Sequence, residues 1–137
     1  MKELLKIKNI FNNLIATSNR KEKIRILEEN KNNGMFVECL QFLLDENIST
    51  GISKKKIFKM LNNTNYITLN NIYDMIDYLS ENNSGRNIDI RTIQVFSSKN
   101  RELKDFIIKL ATKNIKLGVS AKTVNKIMPY LIIEKNK

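Results

Sequence analysis

The 137-residue sequence contains no histidine and no tryptophan, and it has only one cysteine, one proline and four glycines. Without an imidazole, the chain lacks the commonest general base and the commonest metal ligand of proteins. Cys39 has no partner for an internal disulfide, and its place in an apolar helical pattern predicts a buried, unreactive thiol. Acidic residues are few and scattered, so we predict no metal site and no catalytic residue. These absences favour a binding module over an enzyme.

Long hydrophobic runs are also missing. No apolar stretch approaches the roughly 18 residues of a membrane span, and the N-terminal segment is too interrupted by charged and amide side chains for a secretory signal. Hydrophobic residues nevertheless make up 42% of the chain, which suffices for a packed core at this length. We therefore expect a soluble cytoplasmic protein with no membrane partner, folded as a single domain over residues 1–137.

Apolar residues recur at helical spacing along nearly the whole chain, and no alternating stretch is long enough to predict a strand. This pattern predicts an all-α fold, a compact bundle of about seven or eight short helices. Asn19 and Glu22 have the spacing of a capping box, and Gly34 is expected to end the second helix in a left-handed conformation. The helices predicted from the apolar pattern cover residues 2–16, 20–30, 36–44, 88–98, 101–114 and 120–128. Two more are predicted to begin at a cap, one from Ser53 through Leu61 and one from Thr68 through Leu79.

The most informative stretch is Thr112–Lys126, because the chain has no Asp or Glu between Phe106 and Ile133. A glycine followed by a serine cap predicts a tight turn and a helix whose N-terminal amides suit phosphate oxygens. Lysines around this turn would contact phosphates along one strand of a duplex. Alternatively, they form a solvated helix end and offset its dipole. The predicted DNA-binding residues here are Lys113, Lys116, Gly118, Ser120, Lys122, Thr123 and Lys126.

Two further segments are candidates for phosphate contact. The window Gly51–Tyr73 is also free of acids, and it begins, like the first, with a glycine, an apolar residue and a serine cap before its lysines. The loop Asn82–Arg86 places an arginine beside a glycine turn, where it could enter a minor groove or hold a phosphate. The alternatives are a solvated lysine face and an arginine that closes the loop or pairs with Asp89. The predicted contacts are Gly51, Ser53, Lys54, Lys55, Lys56 and Arg86.

The overall charge agrees with a polyanionic partner. Lys and Arg number 24 against 14 Asp and Glu, which gives a net charge of +10 and attracts polyanions. An AT-rich genome would enrich Asn and Lys and so explain scattered lysines, but not the local absence of acids. The phenylalanines mostly occupy inward-facing positions, which predicts core packing rather than base stacking. Contact is therefore expected mainly with the DNA backbone, with little sequence readout.

Four segments, in this order, resemble the N-terminal DNA-binding domain of ATP-dependent DNA ligases, particularly of the phage type. They are TSNRKEKIRILEEN, FLLDENISTGISKKKI, NNSGRNIDIRTIQVF and TKNIKLGVSAKTVNKIMP. The last is the most specific, because that family carries a comparable basic, Leu-Gly, small-residue pattern before a helix. The resemblance implies an all-helical domain that holds nicked double-stranded DNA across its minor groove, in DNA replication, repair or recombination, in a bacterial or phage-infected cell. Catalytic ligase domains would act with it in cis or in trans.

The resemblance does not include the chemistry of ligation. The lysine that such ligases adenylate lies in a Lys-x-Asp-Gly motif, and none of the five Asp residues of this chain precedes a glycine. The chain is therefore expected to be non-catalytic and to need no cofactor, whether it is part of a longer ligase or a truncated or freestanding relative. The parent ligase would use ATP and Mg²⁺. The alternative function is a helical protein-interaction or scaffold module with a basic surface.

Overall fold

A computed structural model describes residues 2–133, and all regular secondary structure within this range is helical. The predicted all-α fold is confirmed. Two 3₁₀ turns, Lys56–Phe58 and Arg101–Leu103, accompany the α-helices. No helix in residues 2–133 combines the length and the apolar character needed to cross a membrane. The α-helices are α1 (Lys2–Ala16), α2 (Arg20–Asn30), α3 (Gly34–Leu44), α4 (Ile72–Glu81), α5 (Asn87–Ser98), α6 (Lys104–Ala111) and α7 (Ala121–Ile127).

The helices group into two compact units. The first contains the chain up to Asn47 together with the chain from Lys116 onwards, so that it includes α1, α2, α3 and α7. The second is the continuous segment Ile48–Ile115, which contains α4, α5, α6 and both 3₁₀ turns. The predicted basic segment Thr112–Lys126 is divided between the two units: Lys113 belongs to the second unit, and the other predicted contacts of the segment belong to the first. The organisation of residues 1–137 as a single domain stays a prediction.

In the first unit, α1 packs against α2 and α3, and α2 packs against α7. The rings of Phe11 and Phe36 meet edge to face, with 5.7 Å between their centroids, a geometry that aromatic pairs prefer. Cys39 is fully buried in α3, and this burial, aided by the charge of Glu38, raises the pKa of its thiol to about 12. The thiol therefore stays protonated at neutral pH, and the predicted burial is confirmed.

In the second unit, α5 packs against α6 and against both 3₁₀ turns. Two polar side chains of α5 also hold the irregular segment that precedes α4. The Gln94 amide donates to the main-chain carbonyls of Ile57 at 2.9 Å and Lys59 at 2.8 Å, and the Thr92 hydroxyl accepts from the Ile67 N–H at 2.9 Å. The segment is thus fixed to α5 although it contains no α-helix.

Asparagine side chains cap the starts of three helices, α2, α3 and α4. Asn19 accepts the Glu22 N–H at 3.1 Å and caps α2, but its own N–H donates to the Thr17 hydroxyl instead of Glu22, so the predicted capping box is only half formed. Gly34 does not end α2 in a left-handed conformation; it is instead the first residue of α3. The reason is that Asn33 accepts the Phe36 N–H at 3.1 Å, and Asn is among the best N-cap residues. The glycine therefore only begins a helix.

The start of α4 was also predicted wrongly. Thr68 is not its cap, since Asn71 accepts the Asp74 N–H at 2.9 Å and α4 begins at Ile72. Downstream, the predicted helix over residues 101–114 is divided into the second 3₁₀ turn and the shorter α6. In both places the predicted helix exists but is shorter than expected. At α4 the reason is the Asn71 cap, a better N-cap type than Thr; no side chain caps the start of α6.

Two glycines of the second unit bring separate turns into direct main-chain contact. Gly51 and Gly85 have φ of 71° and 63°, in the left-handed region that favours glycine. A Cβ at Gly51 would lie 2.5 Å from the Asn83 carbonyl oxygen and 2.7 Å from the Gly85 nitrogen, and a Cβ at Gly85 would collide with the Gly51 carbonyl oxygen. Any side chain at either position would push the two turns apart.

We predict that Gly51→Ala and Gly85→Ala each lower the free energy of unfolding by about 2 kcal/mol or more. A left-handed conformation alone costs an L-residue roughly 1–2 kcal/mol, and the turns must also separate. Gly34→Ala is the control, because a Cβ there meets nothing within 4 Å; it should raise stability by about 0.5 kcal/mol. Urea denaturation followed by circular dichroism measures all three. Equal stability of the turn variants and the control would contradict the contact.

Candidate nucleic-acid interface

The predicted turn and capped helix near the end of the chain are confirmed. Gly118 has a φ of 73°, and the Ser120 hydroxyl accepts the Thr123 N–H at 3.1 Å at the start of α7. Lys122 and Lys126 lie one helical turn apart, on the same side of α7. We use the name α7 patch for Lys116, Gly118, Ser120, Lys122, Thr123 and Lys126.

The lysines of the α7 patch are exposed. Within residues 2–133, none of the ammonium groups of Lys116, Lys122 and Lys126 forms a hydrogen bond or an ion pair. The sequence from Phe106 to Ile133 also supplies no carboxylate to neutralise them. Three positive charges of the first unit are therefore directed at solvent and accessible to an anion.

The turn at Gly118 is held by Lys23 of α2, a residue that sequence analysis missed. Its ammonium group donates to the carbonyl oxygens of Leu117 at 2.5 Å and Leu14 at 2.8 Å, and the side chain is only 8% exposed. A Cβ at Gly118 would lie 2.7 Å from this nitrogen. Lys23 therefore fixes the turn to α1 and α2. The sequence contains one indication of this role. Lys23 lies on the same face of the predicted helix as the apolar Ile26, so its side chain is expected to point inward.

Lys23 also lines an electropositive cleft of about 270 Å³ in the first unit. Two cationic and three hydroxyl side chains contribute to its wall alongside Ile24, Gly118 and Val119, and no acidic residue lines it. Such a lining offers donors and positive charge to an anionic group. The polar lining residues are Ser18, Arg20, Lys23, Ser120 and Thr123.

The second predicted segment forms a turn rather than the expected helix. The Ser53 hydroxyl accepts the Lys56 N–H at 3.1 Å, but Ser53 is not the cap that we predicted, because Lys55 holds the N-cap position of the turn. The helix also stops at Phe58 instead of Leu61. Gln94 occupies the carbonyl groups of residues 57 and 59, and a longer helix would need those acceptors for its own N–H groups.

The contact between Gly51 and Gly85 brings the second and third predicted segments together. Lys54 and Lys55 are exposed and have no hydrogen bond or ion pair within the part of the chain that the structure describes. The Lys56 ammonium reaches back to the Gly51 carbonyl at 3.5 Å. We use the name loop patch for Gly51, Ser53, Lys54, Lys55, Lys56, Gly85 and Arg86.

Arg86 pairs with Asp89, which was one of the two roles left open for it. Its guanidinium donates to both carboxylate oxygens at 3.0 and 3.1 Å, and its main-chain N–H donates to one of them at 3.0 Å. The Tyr78 hydroxyl completes the site at 2.6 Å from the carboxylate. Asp89 is fully buried, whereas the arginine side chain is 55% exposed. The primary role of Arg86 is therefore to fix the loop.

Lys113 is also engaged within its own unit. Its ammonium donates to the Ile48 carbonyl at 2.7 Å, and its backbone has a φ of 54°, which is uncommon outside glycine. It lines a shallow cleft of about 400 Å³ together with Gly51, Ser53 and Lys56. The lysine contributes charge near the loop patch while it also tethers the main chain. Its contact with DNA stays a prediction.

One aromatic residue departs from the expected packing. Five of the six phenylalanines are buried as predicted, but Phe58 is 70% exposed at the end of the first 3₁₀ turn.

Residues 2–133 contain no group of three or more Cys, Asp or Glu side chains that could hold a metal ion. Comparisons with protein-family models and with curated protein sequences found no match. The resemblance to ligases thus depends on the four sequence segments alone.

We predict that the Asp89 site contributes stability that disappears in acid. Burial raises the pKa of Asp89, but hydrogen bonds from Arg86 and Tyr78 outweigh it, so the pKa lies below its usual value. The unfolded chain has an Asp pKa of about 3.9. The contribution is therefore complete above about pH 4 and is lost as the pH falls through the folded-state pKa.

Asp89→Asn should accordingly lower the free energy of unfolding by about 2 kcal/mol at pH 7, since it removes the charged acceptor of the hydrogen bonds from Arg86 and Tyr78 at a buried position. Urea denaturation at pH 7 and pH 3 measures the difference between this variant and the wild type, which should shrink in acid. The matched control is Asp77→Asn, whose side chain is exposed and should have little effect. A difference that stays the same at both pH values would refute the pairing.

Proposed function

We propose that this protein binds double-stranded DNA through its phosphate backbone, without reading the base sequence, and positions nicked duplex for an ATP-dependent DNA ligase. The observation that carries the proposal is a set of exposed, unpaired lysines in stretches that contain no acid. They belong to the α7 patch and to the loop patch. They are Lys54, Lys55, Lys116, Lys122 and Lys126.

Lysines of this kind suit a phosphate backbone. A flexible ammonium group acts as a point charge that follows phosphates without selecting a base. The second unit alone has eleven basic and six acidic residues, so the surplus is not confined to one short run. Binding would be driven by the release of counterions from DNA.

The assignment to a ligase is supported by the four resembling segments, which supply residues to both patches. The chain would act as the non-catalytic DNA-binding part. ATP and Mg²⁺ would be bound by catalytic domains acting in cis or in trans. Incubation of the purified chain with radiolabelled ATP should leave the protein unlabelled, and a labelled band would overturn this part of the proposal.

We predict a strong dependence of DNA binding on salt. If about five lysines neutralise phosphates, a plot of log affinity against log salt should have a slope of roughly −4.5. Fluorescence anisotropy with two duplexes of unrelated sequence measures the slope and should give similar affinities for both. A nicked version of each duplex tests the preference for a nick. A slope near zero would reject phosphate contact and favour a protein-interaction module.

Charge-reversing variants locate the contact. The double variants K122E/K126E and K54E/K55E should each weaken binding to both duplexes by a similar factor and make the salt slope shallower. The control is K2E/K6E on α1, which changes the net charge by the same amount at two exposed lysines. Equal weakening by the control would show that overall charge matters rather than the patches.

A further inference from the structure

An exposed aromatic side chain lies among the lysines of the loop patch. Phe58 is 70% exposed and Met60 is 85% exposed. Lys54, Lys55 and Lys56 precede them and Lys59 separates them, within a window that contains no acid. Single exposed apolar residues are common, but an exposed aromatic ring with neighbouring lysines is the combination found in single-stranded nucleic-acid sites.

The main chain around Phe58 is held in place. Gln94 donates to the carbonyls on either side of the residue, at 2.9 and 2.8 Å. The Phe58 N–H donates to the Lys55 carbonyl at 3.3 Å, and the preceding Ile57 is buried. The ring is therefore displayed to solvent by an anchored turn.

We propose that Phe58 stacks on an unstacked base of the DNA that the neighbouring lysines hold, with Met60 beside it. This inference depends on the proposed function and extends it from the phosphates to the bases. A nucleic acid combines the two features that the patch complements: an anionic backbone, and flat apolar faces on which an aromatic ring stacks. Bases within an intact duplex offer no free face, so the contact requires a gap, a nick or a single strand.

An anionic membrane also combines charge with apolar groups, but it fits this site less well. Surface binding to lipid normally uses an amphipathic helix with a broad apolar face. Here two apolar side chains project from a single 3₁₀ turn and the residues after it. A short, rigid display suits the face of one or two bases better than a lipid surface.

The test compares three DNA probes of one sequence: a single strand, a duplex with a short single-stranded gap, and an intact duplex. Phe58→Ala should weaken binding to the first two about tenfold, within the range that base–aromatic stacking contributes. Binding to the intact duplex should change by less than about twofold, because its bases are already stacked. Phe58→Tyr should retain the wild-type affinities, and Leu5→Ala, an exposed apolar residue of α1, is the control.

A second readout does not depend on affinity. A fluorescent 2-aminopurine in the gap should be quenched by the wild type and by Phe58→Tyr, but not by Phe58→Ala at saturating protein. Equal affinities of the wild type and Phe58→Ala, or equal losses on all three probes, would overturn the stacking contact. So would a loss confined to binding of phosphatidylserine vesicles. If the wild type binds no DNA at all, the proposed function itself fails.

Discussion

The geometry of the loop patch depends on a close contact between the main-chain atoms of two glycine turns. The contact is possible because neither glycine has a side chain. Gly51 and Gly85 lie thirty-four positions apart in the sequence, yet the main chain of each occupies the place where a Cβ of the other would be. The turn that carries three consecutive lysines is thereby set beside the turn that carries Arg86. The buried Asp89 holds the second turn through the arginine. The left-handed conformations of Gly51 and Gly85 and the ion pair between Arg86 and Asp89 therefore determine where these charges lie.

The first unit presents its lysines by a different device. Lys23 is buried, and its ammonium is satisfied by two carbonyl oxygens rather than by an acid. Two hydrogen bonds to a charged group offset much of the cost of its burial. One lysine thus stabilises the turn from the inside, while the lysines on and before α7 stay exposed. Composition alone would count every lysine as surface charge. In this unit, however, one lysine has a structural role and others lie at the surface.

Local patterns predicted most of the fold. Helical periodicity located α1, α2, α3 and α5 closely, and the caps at Asn19 and Ser120 were identified from their short-range spacing. The errors came where two local rules competed, as at Gly34, or where a distant side chain intervened. The turn at residues 56–58 is short because Gln94 binds its carbonyl groups from α5, and no local pattern reveals a partner so far along the chain.

The candidate site was predictable in composition but not in arrangement. The absence of acids marked the basic segments, and Gly51, Gly85 and Gly118 were each placed at boundaries between elements. Neither the meeting of two glycine turns nor the burial of Lys23 follows from spacing, since both arise from tertiary packing. Phe58 was grouped with the core phenylalanines because its helical phase pointed inward. The 3₁₀ turn ends at Phe58, so the helical periodicity that predicted an inward-facing side chain does not continue past this residue.

Contact of both lysine patches with DNA is tested most directly by mapping the bound surface residue by residue. Amide resonances of ¹⁵N-labelled protein can be followed by NMR during titration with a nicked duplex. The largest shifts should occur at residues 51–60, 85–86 and 116–126, and high salt should reverse them. Shifts concentrated instead on α1 and α3, or no shifts at any DNA concentration, would contradict phosphate binding at these surfaces.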